Sequence, residues 1–409
     1  MESYATGTMP LRGVFKQTPE DFLVQEIPKE VRRSDNGKYI VIRAKLREWD
    51  TNRFIIFLAR ELHISHKRIT YCGTKDKHAV TTQYFSINHD FDPSTISISD
   101  CEILDWFRTD RMLALGDLIG NRFTVNLHLN RDDIGLLGDL LEELNASGGF
   151  PNYFGLQRFG SIRTNTHRVG KLLVEGKDEE AALEYIYDPE IDTEYYRKDF
   201  ASTMDARLAL KEFPMHLNFE RTLLGYMLEH GTLRGSLAAF PKNLGMMFVH
   251  AYQSYLFNRI VSMRIRELGI NSVNEGDVLY PVDRLFNSDA RKEIRVNSMN
   301  RGILEDAVRQ NRLRPSAPLI GFDTHLTDGP QGEFEKNILD EEGVNPGMFR
   351  LRSYPEFSSS GERRVVSCLQ SDLSINSDGI MELLRTILDM AILRSTSAPP
   401  ARYITAPDF

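Results

Sequence analysis

"RITYCGTKDKHAVTTQYFSI", residues 68–87, is the stretch on which the fold turns. Its ends, RITYC (68–72) and TTQYFSI (81–87), are rich in β-branched and aromatic residues and read as two strands. The connection, GTKDKHAV, opens on a glycine and carries Asp76 between Lys75 and Lys77. A loop carried by a sheet is a common place for reactive groups, although most loop aspartates are solvated turn residues. An anion among cations can also be a reactive carboxylate held beside a phosphate chain.

Outward from this stretch the pattern alternates. FLVQEI (22–27) and KYIVIRAKL (38–46) have strand composition, and in the second Ile40, Ile42, Ala44 and Leu46 share one face, with Arg43 and Lys45 on the other. DTNRFIIFLARELHI (50–64) reads as a helix, with caps at Asp50 to Asn52 and a stripe of Phe54, Phe57, Leu58 and Leu62. RFTVNLHL (122–129) alternates Phe123, Val125, Leu127 and Leu129 after a turn-like LIGN.

After the Gly/Pro/aromatic hinge ASGGFPNYFGLQRFG (146–160), helical patterns follow at 166–174, 177–187, 203–212, 218–229 and 250–268. Alternation returns near 277 with DVLYPV, and RVVSCLQSDLSI (364–375) reads as strand. A helix-rich segment thus interrupts a β-rich one, which predicts an α+β fold whose β part is completed by the C-terminal stretch.

The chain has 409 residues, enough for two or three domains, and 41% hydrophobic content supplies a sizeable core. A net charge of −8 gives no global signal for nucleic acid, so a polyanion would meet local basic surface only. Arg43, Lys45 and Arg47, then His66, Lys67 and Arg68, then Arg158, Arg163, Arg168 and Lys171 supply such clusters. Cys72, Cys101 and Cys368 fit reduced thiols. Neither a signal peptide nor an apolar run of bilayer length is read, so the expected setting is the cytoplasm, with no membrane partner.

No P-loop, dinucleotide fingerprint or nucleophile elbow occurs. His63, His66, Cys72 and His78 lack metal-motif spacing, and no metal is expected. An ionised carboxylate on a rigid loop can attack an electrophilic sugar carbon. Cations beside it would position nucleic-acid phosphates. Phe22, Phe123 and Tyr84 could stack a base, though the alternation around Phe123 equally fits core packing.

Five separated stretches then agree. TPEDFLVQE (18–26), GTKDKHAVTTQ (73–83), GDLIGNRFTV (116–125), PNYFGLQRFG (151–160) and HAYQSYLFNR (250–259) together resemble the TruD family of tRNA pseudouridine synthases, in the family's order. The resemblance implies a pseudouridine-synthase core with a mixed, mostly antiparallel sheet, residues 1–148 plus 368–409. A helix-rich α/β insertion domain, residues 149–367, interrupts it. It also implies isomerisation of uridine 13 of tRNA to pseudouridine, with tRNA as partner, no protein partner, and no cofactor, metal or redox change.

By the same resemblance Asp76 is the nucleophile, attacking C1′ or promoting a glycal. Lys16 is the lysine that pairs with it, and Glu20 supports the site. Phe22, Asn121 and Phe123 bind substrate, with Phe123 against an everted base. Asn152, Gln157 and Arg158 support the hinge or touch RNA, and Tyr252 and Gln253 pack or line the inserted domain. The end, residues 388–409, lacks the family's G-S-[FY]-A-T stretch, and a less ordered tail is expected after about Leu393. Two rivals stay open. One is the same chemistry on another RNA; the other is an RNA-binding protein or tRNA chaperone with impaired catalysis.

Overall fold

The structure is a computed structural model and describes residues 3–4, 6–7, 13–14, 16–129, 134–160, 162–282, 288, 291–368, 371–375, 380–387 and 403–404. The expected tail after Leu393 and most of the divergent C-terminal end therefore lie outside the described residues.

The first part of the chain supplies strands β1 (Gly13–Val14), β2 (Phe22–Pro28) and β3 (Tyr39–Arg47), helix α1 (Thr51–Glu61), then β4 (Ile69–Tyr71), β5 (Val80–Ile87), β6 (Cys101–Thr109) and β7 (Leu118–Leu129). Helix α2 (Ile134–Ala146) and β8 (Phe150–Pro151) follow. Then come α3 (Thr166–Val174), α4 (Asp178–Ile186), α5 (Tyr195–Thr203), α6 (Ala206–Glu212), α7 (Asn218–His230) and α8 (Lys242–Glu267). Next are β9 (Val278–Pro281), β10 (Ile294–Arg295), α9 (Arg301–Arg309), β11 (Leu313–Leu319), α10 (Gly329–Glu342), β12 (Glu362–Val365) and β13 (Ser367–Cys368). Strands β14 (Ser371–Ile375), β15 (Ile380–Ile387) and β16 (Tyr403–Ile404) complete the order.

Ten of these strands form one sheet, whose main path runs β14-β15-β7-β2-β5-β3-β6. β2 and β5 pair in parallel, and the other described pairings in that sheet are antiparallel. The fold is α+β with a mixed sheet, and β14 and β15 return to β7 after the helices, as the alternating pattern predicts.

Register decides what each face carries, because directly opposed residues share a face. On one face Ile40, Ile42, Ala44 and Leu46 stand opposite Ile87, Phe85, Gln83 and Thr81. α1 covers the apolar part of that face with Phe54, Ile55, Leu58 and Ala59. The expected Phe57 is instead exposed, because the buried stripe follows the 3–4 spacing from Thr51 through Ile55 and Ala59. Asp50 caps the helix by accepting from the Arg53 amide at 3.0 Å.

The helical segment packs around α8, whose central turns are buried over most of their circumference and therefore show no single apolar stripe. Gly170 on α3 lets that helix approach closely, since a Cβ there would sit 2.0 Å from the Phe248 carbonyl oxygen. Arg264, wholly buried, fastens the end of α8 by donating to both Asp277 oxygens at 2.9 Å. The chain enters and leaves this segment side by side, with Phe150 opposite Cys368 and Pro151 opposite Ser367.

Candidate active site

Strands β2 and β7 pair so that Phe22, Val24 and Glu26 stand opposite Val125, Phe123 and Asn121. Val24 also faces Thr81 across the parallel ladder. These side chains thus continue, on the same sheet face, beyond the edge of the α1 core. The loop from Cys72 to Ala79 lies at this uncovered part, and it is tied down from several directions. The Lys75 amide donates to Thr51 Oγ1 at 2.9 Å, and Thr51 Oγ1 donates to Gln83 Oε1 at 3.0 Å. The Ala79 amide donates to the Lys77 carbonyl, and the Ala79 carbonyl accepts from the Glu48 amide, each at 3.0 Å.

The two lysines flanking Asp76 do not act alike. Lys75 turns inward and donates to Glu26 Oε1 at 2.6 Å, with the side chains only 5% and 1% exposed. Glu26 Oε2 accepts from the Tyr84 amide at 2.8 Å. Burial pushes the Glu26 carboxyl up, opposed by Lys75 and by that amide. The cation at Asp76 is Lys16, whose Nζ donates to Asp76 Oδ2 at 3.0 Å, the side chains being 21% and 36% exposed. This corrects the picture of an aspartate enclosed by its sequence neighbours. Lys75 is committed to the sheet, because a buried ammonium needs a buried carboxylate.

Lys16 Nζ also lies 3.8 Å from the centroid of the Phe22 ring, and the Phe22 and Phe123 centroids are 5.7 Å apart. Asp76, Lys16, Phe22 and Phe123 thus form one connected series. Asn121 is buried on the same strand face, and its Oδ1 has no hydrogen-bond partner among the described residues. An orphaned acceptor of this kind is a cost in a protein interior and a resource for a ligand donor. Phe123 itself is only 6% exposed, so its packing role is real.

Glu20, by contrast, is exposed and pairs with Arg47 at 2.7 Å, which holds its carboxyl below the usual range. Tyr84 belongs to the opposite sheet face with Val41, Cys72 and Leu113, and so cannot join Phe22 and Phe123. Burial pushes the Cys72 and Cys101 thiols up to about 12, and the three cysteines are free. Among the described residues no group of His, Cys, Asp and Glu could hold a metal ion, and no helix is long and apolar enough to cross a membrane.

Other sequence-selected residues serve the chain itself. Asn152 Nδ2 donates to the Val365 carbonyl, and Asn258 exchanges two 2.9 Å hydrogen bonds with the Phe154 backbone. Gln253 Nε2 donates to the Ile320 carbonyl at 2.7 Å, and Tyr252 stacks on Phe349. Gln157 is exposed. Arg163, Arg168 and Lys171 do not form a basic surface: they pair with Asp192, with Glu184, Asp188 and Glu190, and with Glu342. Arg158 donates to Ser254 Oγ at 3.0 Å and stacks with Arg364 on the Phe154 ring. Burial, with Arg364 nearby, lowers the Arg158 guanidinium to about 10.

Sequence reasoning missed Glu26, Lys75, Thr51 and Gln83. The signal was present, since Glu26 occupies the same strand parity as Phe22 and Val24, and a carboxylate there needs a partner.

A family model for tRNA pseudouridine synthase D (TruD) matches residues 1–387. A Picrophilus torridus protein named "Probable tRNA pseudouridine synthase D" is 46% identical over 369 residues, 90% of this chain and 89% of that protein. One of the same name from Archaeoglobus fulgidus is 39% identical over 385 residues, 90% of each chain. A crystal structure of the "Putative tRNA pseudouridine synthase D (TruD)" from Methanosarcina mazei matches with a TM-score of 0.84 at 35% identity, over 94% of this chain and 93% of that one.

Proposed function

The chain belongs to the TruD family of tRNA pseudouridine synthases, and from that premise we propose that it isomerises uridine 13 of tRNA with Asp76 as the nucleophile. The N1–C1′ bond of the uridine breaks, the uracil turns, and a C5–C1′ bond forms. A proton leaves C5 and one is gained at N1, so the formula is unchanged and no redox partner is required. Asp76 acts at the ribose, and Lys16 orients its carboxylate. Phe22 and Phe123 offer ring faces to the everted base, and the Asn121 amide meets its polar edge.

The observation that supports this reading best is the 3.0 Å pair of Lys16 with Asp76, with Lys16 Nζ over the Phe22 ring, on the sheet face that also carries Asn121, whose buried amide oxygen has no donor among the described residues. Glu20 is assigned a supporting role through Arg47 rather than through contact with Asp76. Residues 1–148 plus 368–409 are assigned to the catalytic domain and 149–367 to the inserted one, a division supported by the paired crossing at β8 and β13. A cytoplasmic setting agrees with the free thiols.

The test is a single-turnover reaction of purified protein with unmodified tRNA, mapping the product position. Pseudouridine at position 13 is expected. Tight tRNA binding without product would favour an RNA-binding protein, and product elsewhere would reassign the target.

A further inference from the structure

Lys16 is a non-glycine residue with φ of 55°, in the left-handed region that L side chains rarely adopt. It is also the residue whose ammonium meets Asp76. A side chain from the loop that carries Asp76 meets that backbone. His78 Nε2 lies 3.2 Å from the Lys16 carbonyl oxygen, and His78 Nδ1 lies 3.0 Å from Glu48 Oε1. The ring thus spans from the Lys16 backbone to the Glu48 carboxylate.

We propose that His78 is a positioning residue that clamps the Lys16 backbone and so sets Lys16 Nζ on Asp76. The proposal rests on the reading of Asp76 as the nucleophile. The clamp links the loop that carries Asp76 to the segment that carries Lys16, so both halves of the pair are set by one ring. Its far end is also fixed. Glu48 has φ of 56°, donates its amide to the Ala79 carbonyl at 3.0 Å, and holds its second oxygen 3.7 Å from Arg47 Nη1. Arg47 in turn pairs with Glu20. The charged groups around the ring are thus Glu48 and Arg47 from the end of β3, Glu20 and Lys16 from the segment before β2, and Lys77 and Asp76 from its own loop. Both His78 and Glu48 are about half exposed.

The experiment measures single-turnover rate for wild type, His78→Gln, Glu48→Gln and Asp76→Asn, with tRNA affinity and melting temperature as controls. His78→Gln is expected to lose about tenfold in rate, with affinity and melting temperature nearly unchanged. Glu48→Gln keeps an acceptor for the ring but weakens its far anchor, and should lose a smaller part of the rate. Equal rates for wild type and His78→Gln would overturn the clamp, as would a loss in affinity alone. Turnover by Asp76→Asn would instead remove the reading on which the clamp depends, so the two failures are distinguishable.

Discussion

Lys75 and Glu26 face each other 2.6 Å apart across the gap between a loop and a central strand, both withdrawn from water. The residue after Lys75 is Asp76, so this inward pair fixes the backbone from which the proposed nucleophile projects. Charge pairing here adds to the hydrogen bond of the Lys75 amide with Thr51 and to the burial of Cys72 and Ala79 at the loop's ends.

Removing one member of that pair leaves the other buried without a counter-charge. Lys75→Met alone, or Glu26→Gln alone, is expected to lower unfolding free energy by about 3–5 kcal/mol. The double change Glu26→Leu with Lys75→Met should recover much of the loss, because it leaves no uncompensated charge. Denaturant titrations of the four proteins check this. Single losses below about 1 kcal/mol would mean that the pair is solvated in solution.

Asp76→Asn keeps the size and shape of the side chain at a partly exposed position and removes its charge. Turnover should fall by more than about 10³-fold while tRNA affinity is retained. Quantifying pseudouridine after single turnover, beside a binding titration, separates the two effects; appreciable product would exclude Asp76 as the nucleophile.

Phe123→Leu tests the ring rather than the volume. Stability should change by less than about 1.5 kcal/mol, whereas Phe123→Ala should cost about 3–5 kcal/mol at so buried a site. If the ring meets a base, the leucine variant still loses turnover. A leucine variant with wild-type kinetics would assign Phe123 to packing alone.

Asp117 gives a prediction in pH. Its carboxyl is held below the usual range, chiefly by the 2.6 Å hydrogen bond from Arg111 and despite some burial. A carboxyl with a lowered folded value stabilises the protein above the unfolded value, about 3.9, and loses that contribution as pH falls through the folded one. Asp117→Asn should therefore melt below wild type at neutral pH, and the gap should close in acid. A gap independent of pH would sink this account.

Much of the sheet was legible because its faces differ chemically. Alternation in Ile40 to Leu46 and in Phe123 to Val125 gave strands in the right places. β6 escaped because it ends the main path of the sheet and exposes Leu104 and Trp106, which blurs its period. The first turns of α8 escaped because Pro241 and Gly245 read as helix breakers there. Within the site, motif residues marked Asp76, Lys16 and Asn121. The Glu26–Lys75 pair and the His78–Lys16 contact join residues 49 and 62 positions apart, and only strand register and loop path bring them together.

The ribbon at Phe150–Pro151 and Ser367–Cys368 has a topological consequence. Its two rungs make departure and return adjacent, so to the ten-stranded sheet everything from residue 152 to residue 366 is equivalent to one hairpin turn. Chain closure for the flanking strands is then nearly independent of how much polypeptide the excursion contains. Such an architecture can lengthen, shorten or remodel its excursion without renegotiating the register of the strands that hold Asn121 and Phe22.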